Sequence, residues 1–231
     1  MLLFVSSIKY YISFMKTKII FIGLLWLSCL TGFAQKKFSE GTINYDIVIN
    51  TGTDKPQAAD FLDGATSTVY VKGNKSRTEM ISSLGTQATV IDGTTNSIVV
   101  LKEYGDQKYL IHLTPLEWKD ANKKYEGVNF VMTNETKTIL GYNCKKAIGK
   151  LSDGNTFTVW YTPDLVPENN EYQTANKNLP GLAMQYETSM GSMNVIYTVS
   201  KISFAPVPAA KFDLPKAGYR VMTYAESKGN K

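Results

Sequence analysis

The sequence predicts a mainly β protein: a single strongly curved antiparallel sheet, an incomplete barrel, carrying one or two short helices. Three observations predict it. Apolar residues recur with a period of two from Gly41 onward. Turn signals cut the chain into short β-branched and aromatic runs, about ten to twelve of them. Only one stretch has both a helix-opening signal and helical spacing.

The first strand is written by Ile43, Tyr45, Ile47 and Ile49 alternating with Thr42, Asn44, Asp46 and Val48, the pattern of a sheet with one apolar face. Further runs follow at Thr66–Val71, Ser76–Ile81, Gln87–Ile91, Ser97–Tyr104 and Lys108–Leu113. They are separated by Gly73-Asn74, Leu84-Gly85, Asp92-Gly93 and Gly105-Asp106, each short enough for a hairpin or tight loop. At Thr114-Pro115 the meander breaks, because Thr caps and Pro opens a helix that runs through Leu116, Trp118 and Ala121 toward Tyr125. Strands resume at Val128–Asn134, Lys137–Leu140, Cys144–Leu151 and Thr156–Tyr161. A loop from Pro163 to Pro180 precedes a last hairpin, Leu182–Ser189 and Asn194–Phe204. Beyond Lys211 the pattern is weak, and residues 227–231 are expected to form a disordered tail.

The N-terminus reads as an export signal. Met15-Lys16-Thr17-Lys18 gives a charged region, Ile19–Leu30 an apolar run and Thr31-Gly32-Phe33-Ala34 a small-residue cleavage site. The apolar run is too short to span a bilayer, which needs roughly 20 residues. Residues 1–34 are therefore expected to be an extension plus a cleavable signal peptide, and residues 35–226 a single β-rich domain. The expected location is outside the cytoplasm, periplasmic or associated with the outer membrane. Trp26 stands where a lipobox wants an aliphatic residue, which argues against lipidation of Cys29.

The net charge of +5 includes Lys9, Lys16 and Lys18, so the mature chain carries 22 basic against 20 acidic residues. With no Lys/Arg-rich block, nucleic-acid binding is not expected. Cys144 is alone once Cys29 is removed, so no intrachain disulfide is expected.

One His and one Cys cannot assemble a His/Cys zinc site, and no acidic loop of calcium-binding spacing occurs. His112 alternates with Tyr109, Ile111 and Leu113, which puts it on the face opposite the apolar one. No G-x-S-x-G elbow is present to set a serine against it, and no glycine-rich phosphate cradle occurs. No catalytic residue, metal or cofactor is assigned. The soft apolar bulk of Met80, Met132, Met184, Met190, Met193 and Met222, with the tryptophans, suits either a packed core or an adaptable cavity.

The run Thr136-Lys137-Thr138-Ile139-Leu140-Gly141-Tyr142-Asn143-Cys144-Lys145-Lys146-Ala147, then Val159-Trp160-Tyr161-Thr162-Pro163 and Asn178-Leu179-Pro180-Gly181-Leu182, resembles the GLPGLI family of exported domains. Tyr70-Val71-Lys72-Gly73-Asn74-Lys75-Ser76-Arg77-Thr78-Glu79 resembles a strand pair of the same families. The chain departs from the pattern at Asn178 and Ala183. These families are similar in fold to LolA-like lipoprotein carriers, and the resemblance implies an incomplete barrel around an apolar cavity. It brings no catalytic residues.

On that basis the expected function is a non-enzymatic carrier of a lipid or acylated peptide, with other cell-envelope proteins as further partners. Trp118, Trp160, Leu179, Leu182 and Met184 would line the mouth of the cavity. The same residues serve equally as core in the alternative reading, a structural envelope protein whose sheet is packed shut. A hydrolase is the most distant alternative. A carrier requires a cavity of roughly 300 Å³ or more. In structural terms, Gly141 and Gly181 are expected at turns of positive φ, and Trp160 against a sheet face.

Overall fold

The computed structural model describes residues 35–50, 64–190 and 193–229. The expected extension and signal peptide at 1–34, and the last two residues of the expected tail, lie outside them. Gln35–Lys231 forms one compact unit.

The chain is mainly β, with few and short helices. Strand β1 (Lys36–Phe38) precedes β2 (Glu40–Asn50), and a meander follows: β3 (Thr66–Lys72), β4 (Lys75–Ser82), β5 (Gly85–Asp92), β6 (Ser97–Tyr104) and β7 (Gln107–Leu113). After helix α1 (Pro115–Ala121) come β8 (Asn129–Ile139), β9 (Tyr142–Lys150), β10 (Thr156–Thr162), β11 (Leu165–Pro167), β12 (Leu182–Met190) and β13 (Met193–Ser203). The described chain closes with β14 (Arg220–Thr223) and helix α2 (Tyr224–Gly229).

Twelve strands form one open sheet in the order β14-β7-β6-β5-β4-β3-β2-β13-β12-β10-β9-β8. All neighbouring pairs are antiparallel except β14 with β7, whose register Arg220↔Tyr109 to Thr223↔His112 is parallel. The sheet is therefore mixed, which corrects the expectation of a purely antiparallel one. The reason lies in the tail, whose one short strand reaches the β7 edge after a long connection and arrives running the same way. A separate parallel pair, β1 with β11, sets Phe38 opposite Pro167.

The path explains where a site can form. Within this sheet the path begins at the centre in β2 and walks outward strand by strand to β7. It then crosses to the far edge at β8 and walks back to β13, which closes on β2 with Ile43 opposite Ile202. The crossing from β7 to β8 and the connection from β10 to β12 supply the non-strand segments near the sheet.

Alternation places the core as the sequence predicts. Ile43, Tyr45 and Ile47 are buried, and they join Val69, Val71, Leu182, Met184 and Val199 in the central clusters. Helix α1 starts where expected. Thr114 Oγ1 accepts from Glu117 N (3.2 Å) and Glu117 Oε2 accepts from Thr114 N (2.8 Å), a reciprocal cap. The helix stops at Ala121, and a 3-10 turn, Lys123–Tyr125, completes the expected span.

Two strands expected at 128–134 and 137–140 are one strand, β8, with a register shift between Met132 and Thr136. A bulge absorbs the polar Asn134-Glu135 without ending the pairing. Residues 227–229, expected in a disordered tail, belong to α2. Thr223 and Glu226 cap that helix reciprocally, and Lys228 Nζ lies 2.7 Å from Asp120 Oδ2. No described helix is long and apolar enough to cross a membrane.

Candidate functional site: a tyrosine-walled cavity

A cavity of about 660 Å³ lies where the 3-10 turn after α1 and the 3-10 segment Glu171–Asn176 meet the sheet. Its wall is drawn from β2 to β5 on one side and from β10, β12 and β13 on the other, since Gln87 and Phe157 both line it. Interior space of this size exceeds the roughly 300 Å³ that a carrier requires. The wall is mixed, with Thr78, Gln87, Asn122, Asn155 and Thr188 beside Val69, Leu151 and Phe157.

The floor is aromatic. Tyr186 and Tyr197 are cross-strand partners on β12 and β13, and their rings stack 4.7 Å apart at 5°. Tyr45 meets Tyr186 edge-on at 5.7 Å, a favoured arrangement of ring quadrupoles. Tyr125 Oη and Thr188 Oγ1 share a hydrogen bond of 3.0 Å, which ties the crossing segment to β12. Burial pushes the hydroxyls of Tyr45, Tyr172, Tyr186 and Tyr197 above the usual phenol range, so all stay protonated at neutral pH.

Glu171–Asn176 is held down on the sheet by Gln173, whose Oε1 accepts from Ala183 N at 3.5 Å and whose Nε2 donates to Asn170 Oδ1 at 3.0 Å. Its middle is irregular, with Thr174 at φ 29 and ψ −85. On either side of Thr174, the Tyr172 hydroxyl and Asn176 Oδ1 are buried with no hydrogen-bond partner. Buried polar atoms are nearly always paired, so two orphans on one segment mark it as unusual.

A second cavity, of about 530 Å³, borders the same segment and is lined by Trp118, Ile98, Asn96, Lys177 and Asn178 among others.

The five residues singled out from the sequence do not gather at one cavity. Trp118 lines the second cavity and packs against Ile91, Ile98, Ile111 and Leu113. Trp160 lines neither; it is half-buried against the central core, with Lys137 Nζ 4.2 Å from its ring centroid. Leu182 and Met184 have no exposed surface and belong to the core. Leu179 is packed with Ala147, Val159 and Tyr161. The tyrosine floor was missed, although its signal was present: Tyr186 and Tyr197 each sit in an alternating strand on the face that carries Tyr45.

His112 is exposed, as its alternation predicts. Cys144 is fully buried, its thiol donates to Tyr142 O at 3.5 Å, and burial raises its pKa to about 11. Among the described residues, no three His, Cys, Asp or Glu gather as a metal would require.

Solved structures with similar chains include "Structure of PNGF-II in C2 space group" and "Structure of PNGF-II in P21 space group". They are 14% and 17% identical over 79% and 80% of this chain, each with a TM-score of 0.43. The chain spans about a third of their length, 31% and 32%. An uncharacterized conserved protein from Thermus thermophilus is 10% identical over 80% of this chain and 91% of its own, with a TM-score of 0.46. No curated protein matches the chain.

The GLPGLI resemblance, the LolA-like fold and the lipid binding it implied are overturned, because the family that matches is a different one. Two glycines that carried the resemblance have local structural explanations. Gly141 has φ 79, as a turn requires. Gly181 is not at positive φ as expected; a Cβ there would lie 2.1 Å from the Thr162 carbonyl oxygen. Residues 62–182, more than half of the 231, match the model of the PNGase F-II N-terminal family, described as "N-glycanase peptide, N-terminal domain", and the chain belongs to that family.

Proposed function

We propose that this protein is a non-catalytic binding module for a glycan, seated in the tyrosine-walled cavity. The observation that carries the reading is the wall itself: stacked and edge-on tyrosine rings beside amide and hydroxyl side chains, around about 660 Å³. A pyranose presents an apolar C–H face and a rim of hydroxyls, so it matches a floor of rings and a wall of hydrogen-bonding groups. The family's description as part of an N-glycanase supports a sugar as the ligand class. The deep burial and raised pKa of Cys144 speak against a thiol nucleophile.

In this reading the sheet is strongly curved. Strands lie about 4.8 Å apart, so the run from β5 to β10 would cover about 29 Å if flat. Gln87 and Phe157, from those two strands, nevertheless border one cavity. Export is in keeping with the family, and the proposed site of action is the periplasm or the outer membrane.

Titration calorimetry of the full chain with chitobiose, the N-acetylglucosamine disaccharide at the root of N-linked glycans, tests the reading. Saturable binding, weakened at least about tenfold by Gln87→Ala (about 1.4 kcal/mol), is expected. A folded protein that binds neither chitobiose nor its longer oligomers would overturn it.

A further inference from the structure

We propose that the two cavities are the two ends of one cleft for an extended oligosaccharide, divided in this conformation by the segment Glu171–Asn176, which shifts when a ligand spans it. The inference rests on the glycan-binding reading and adds the length of the ligand and the part of the protein that yields to it.

The cavities share a wall. Asn122, Tyr125, Thr174 and Ala175 border both, so what separates them is the thickness of two short turns. Neither turn is a strand of the sheet, so both can move without breaking a ladder of backbone hydrogen bonds.

The unfavourable features of the region are concentrated on that partition. Thr174 is β-branched and sits at φ 29, ψ −85, outside the conformations such a residue prefers. Tyr172 Oη and Asn176 Oδ1 flank it, buried and unpaired. Strained backbone that interrupts a turn beside a cavity, together with orphaned polar atoms, is how a two-position segment is recognised. When the segment shifts, Thr174 relaxes, the phenol gains a hydroxyl to donate to, and the amide oxygen gains a donor. A chain of sugars supplies both along its length; a short ligand confined to the first cavity need not disturb the segment.

The second cavity is equipped to take the far end. Trp118 packs partly against the β6–β7 core and also borders the cavity. A fixed indole of this kind is a stacking platform for a further ring. Asn96 and Asn178 border the same space and can hydrogen-bond sugar hydroxyls.

The test is titration of the full chain with N-acetylglucosamine oligomers of two, four and six units. The hexamer is expected to bind at least about tenfold more tightly than the dimer, and Trp118→Ala to abolish that increment while leaving the dimer within about twofold of wild type. Trp118→Phe, which keeps a ring, should retain part of it. Unchanged dimer binding shows the variants are folded. Equal affinity for dimer and hexamer in the wild type would overturn the single cleft and leave the glycan reading standing. Loss of dimer and hexamer binding alike in both Trp118 variants, with their circular dichroism unchanged, would also overturn it. Absence of binding to any oligomer would remove both.

Discussion

The Tyr45 hydroxyl donates to the Ala183 carbonyl oxygen at 3.0 Å, joining residues 138 apart in sequence. Tyr45 is on β2 and Ala183 on β12, with β13 between them, so the side chain reaches across a strand and pins the cavity floor. Tyr45→Phe should remove this bond while leaving the ring in contact with Tyr186. A loss of about 1–3 kcal/mol is expected, since a buried polar group loses its partner. Urea denaturation should show a lower midpoint at an unchanged slope.

Leu182 and Met184 separate core from ligand site. Both side chains are fully buried among Ile43, Val71 and Val199. Either changed to Ala should cost about 2–5 kcal/mol, the range for deleting a large aliphatic side chain from a packed interior. Chitobiose affinity of the folded fraction should stay within about twofold. A selective loss of affinity at unchanged stability would return these residues to the binding site.

Two glycines should respond differently to the same change. Gly141 is at φ 79 with open space around its missing Cβ, so Ala there meets only the left-handed backbone penalty, about 1–2 kcal/mol. At Gly181 the added methyl would sit 2.1 Å from Thr162 O and 2.8 Å from Thr162 C, backbone atoms that no rotamer change can move. Gly181→Ala should therefore be the more damaging by thermal melting.

Alkaline pH should destabilise the fold. Burial raises Cys144 from 9.0 to about 11 and holds Tyr45 and Tyr186 well above 10.0. Between pH 9 and 11 the unfolded chain loses the thiol proton and the folded chain keeps it. The stabilisation is thus complete below pH 9 and disappears as pH rises through 11, with the tyrosines extending the decline beyond pH 10. Melting temperature should fall across this window. Cys144→Ala should start lower at pH 7 and fall less steeply.

What was legible in the sequence was whatever repeats every two residues. Ile43, Tyr45 and Ile47 announced β2 and its buried face, and Thr114-Pro115 announced α1. The elements that were missed are too short to show a period: β1 and β11 have three residues each, and β14 has four. Their strand character comes from partners distant in sequence, such as Lys36 N donating to Asp164 O at 2.8 Å. The site was less legible for a related reason. Bulk and resemblance single out Trp118, Trp160, Leu179, Leu182 and Met184, whereas the cavity depends on which strands the crossings bring together. That cannot be read from one strand's alternation, and the strain at Thr174 leaves no mark in composition.

The seam between β2 and β13 also governs the order in which the molecule can be assembled. The meander from β3 to β7 needs only neighbours in sequence, and so does the path from β8 to β10. The pairing of Ile43 with Ile202 must wait until 159 further residues have been made and brought back. Closing so long a loop is entropically costly, and such contacts form late and slowly. Two half-sheets should therefore appear first, each with an unpaired strand edge of backbone N–H and C=O groups at the future seam. A chain kept unfolded until nearly all of it is available would spend the least time with those edges exposed.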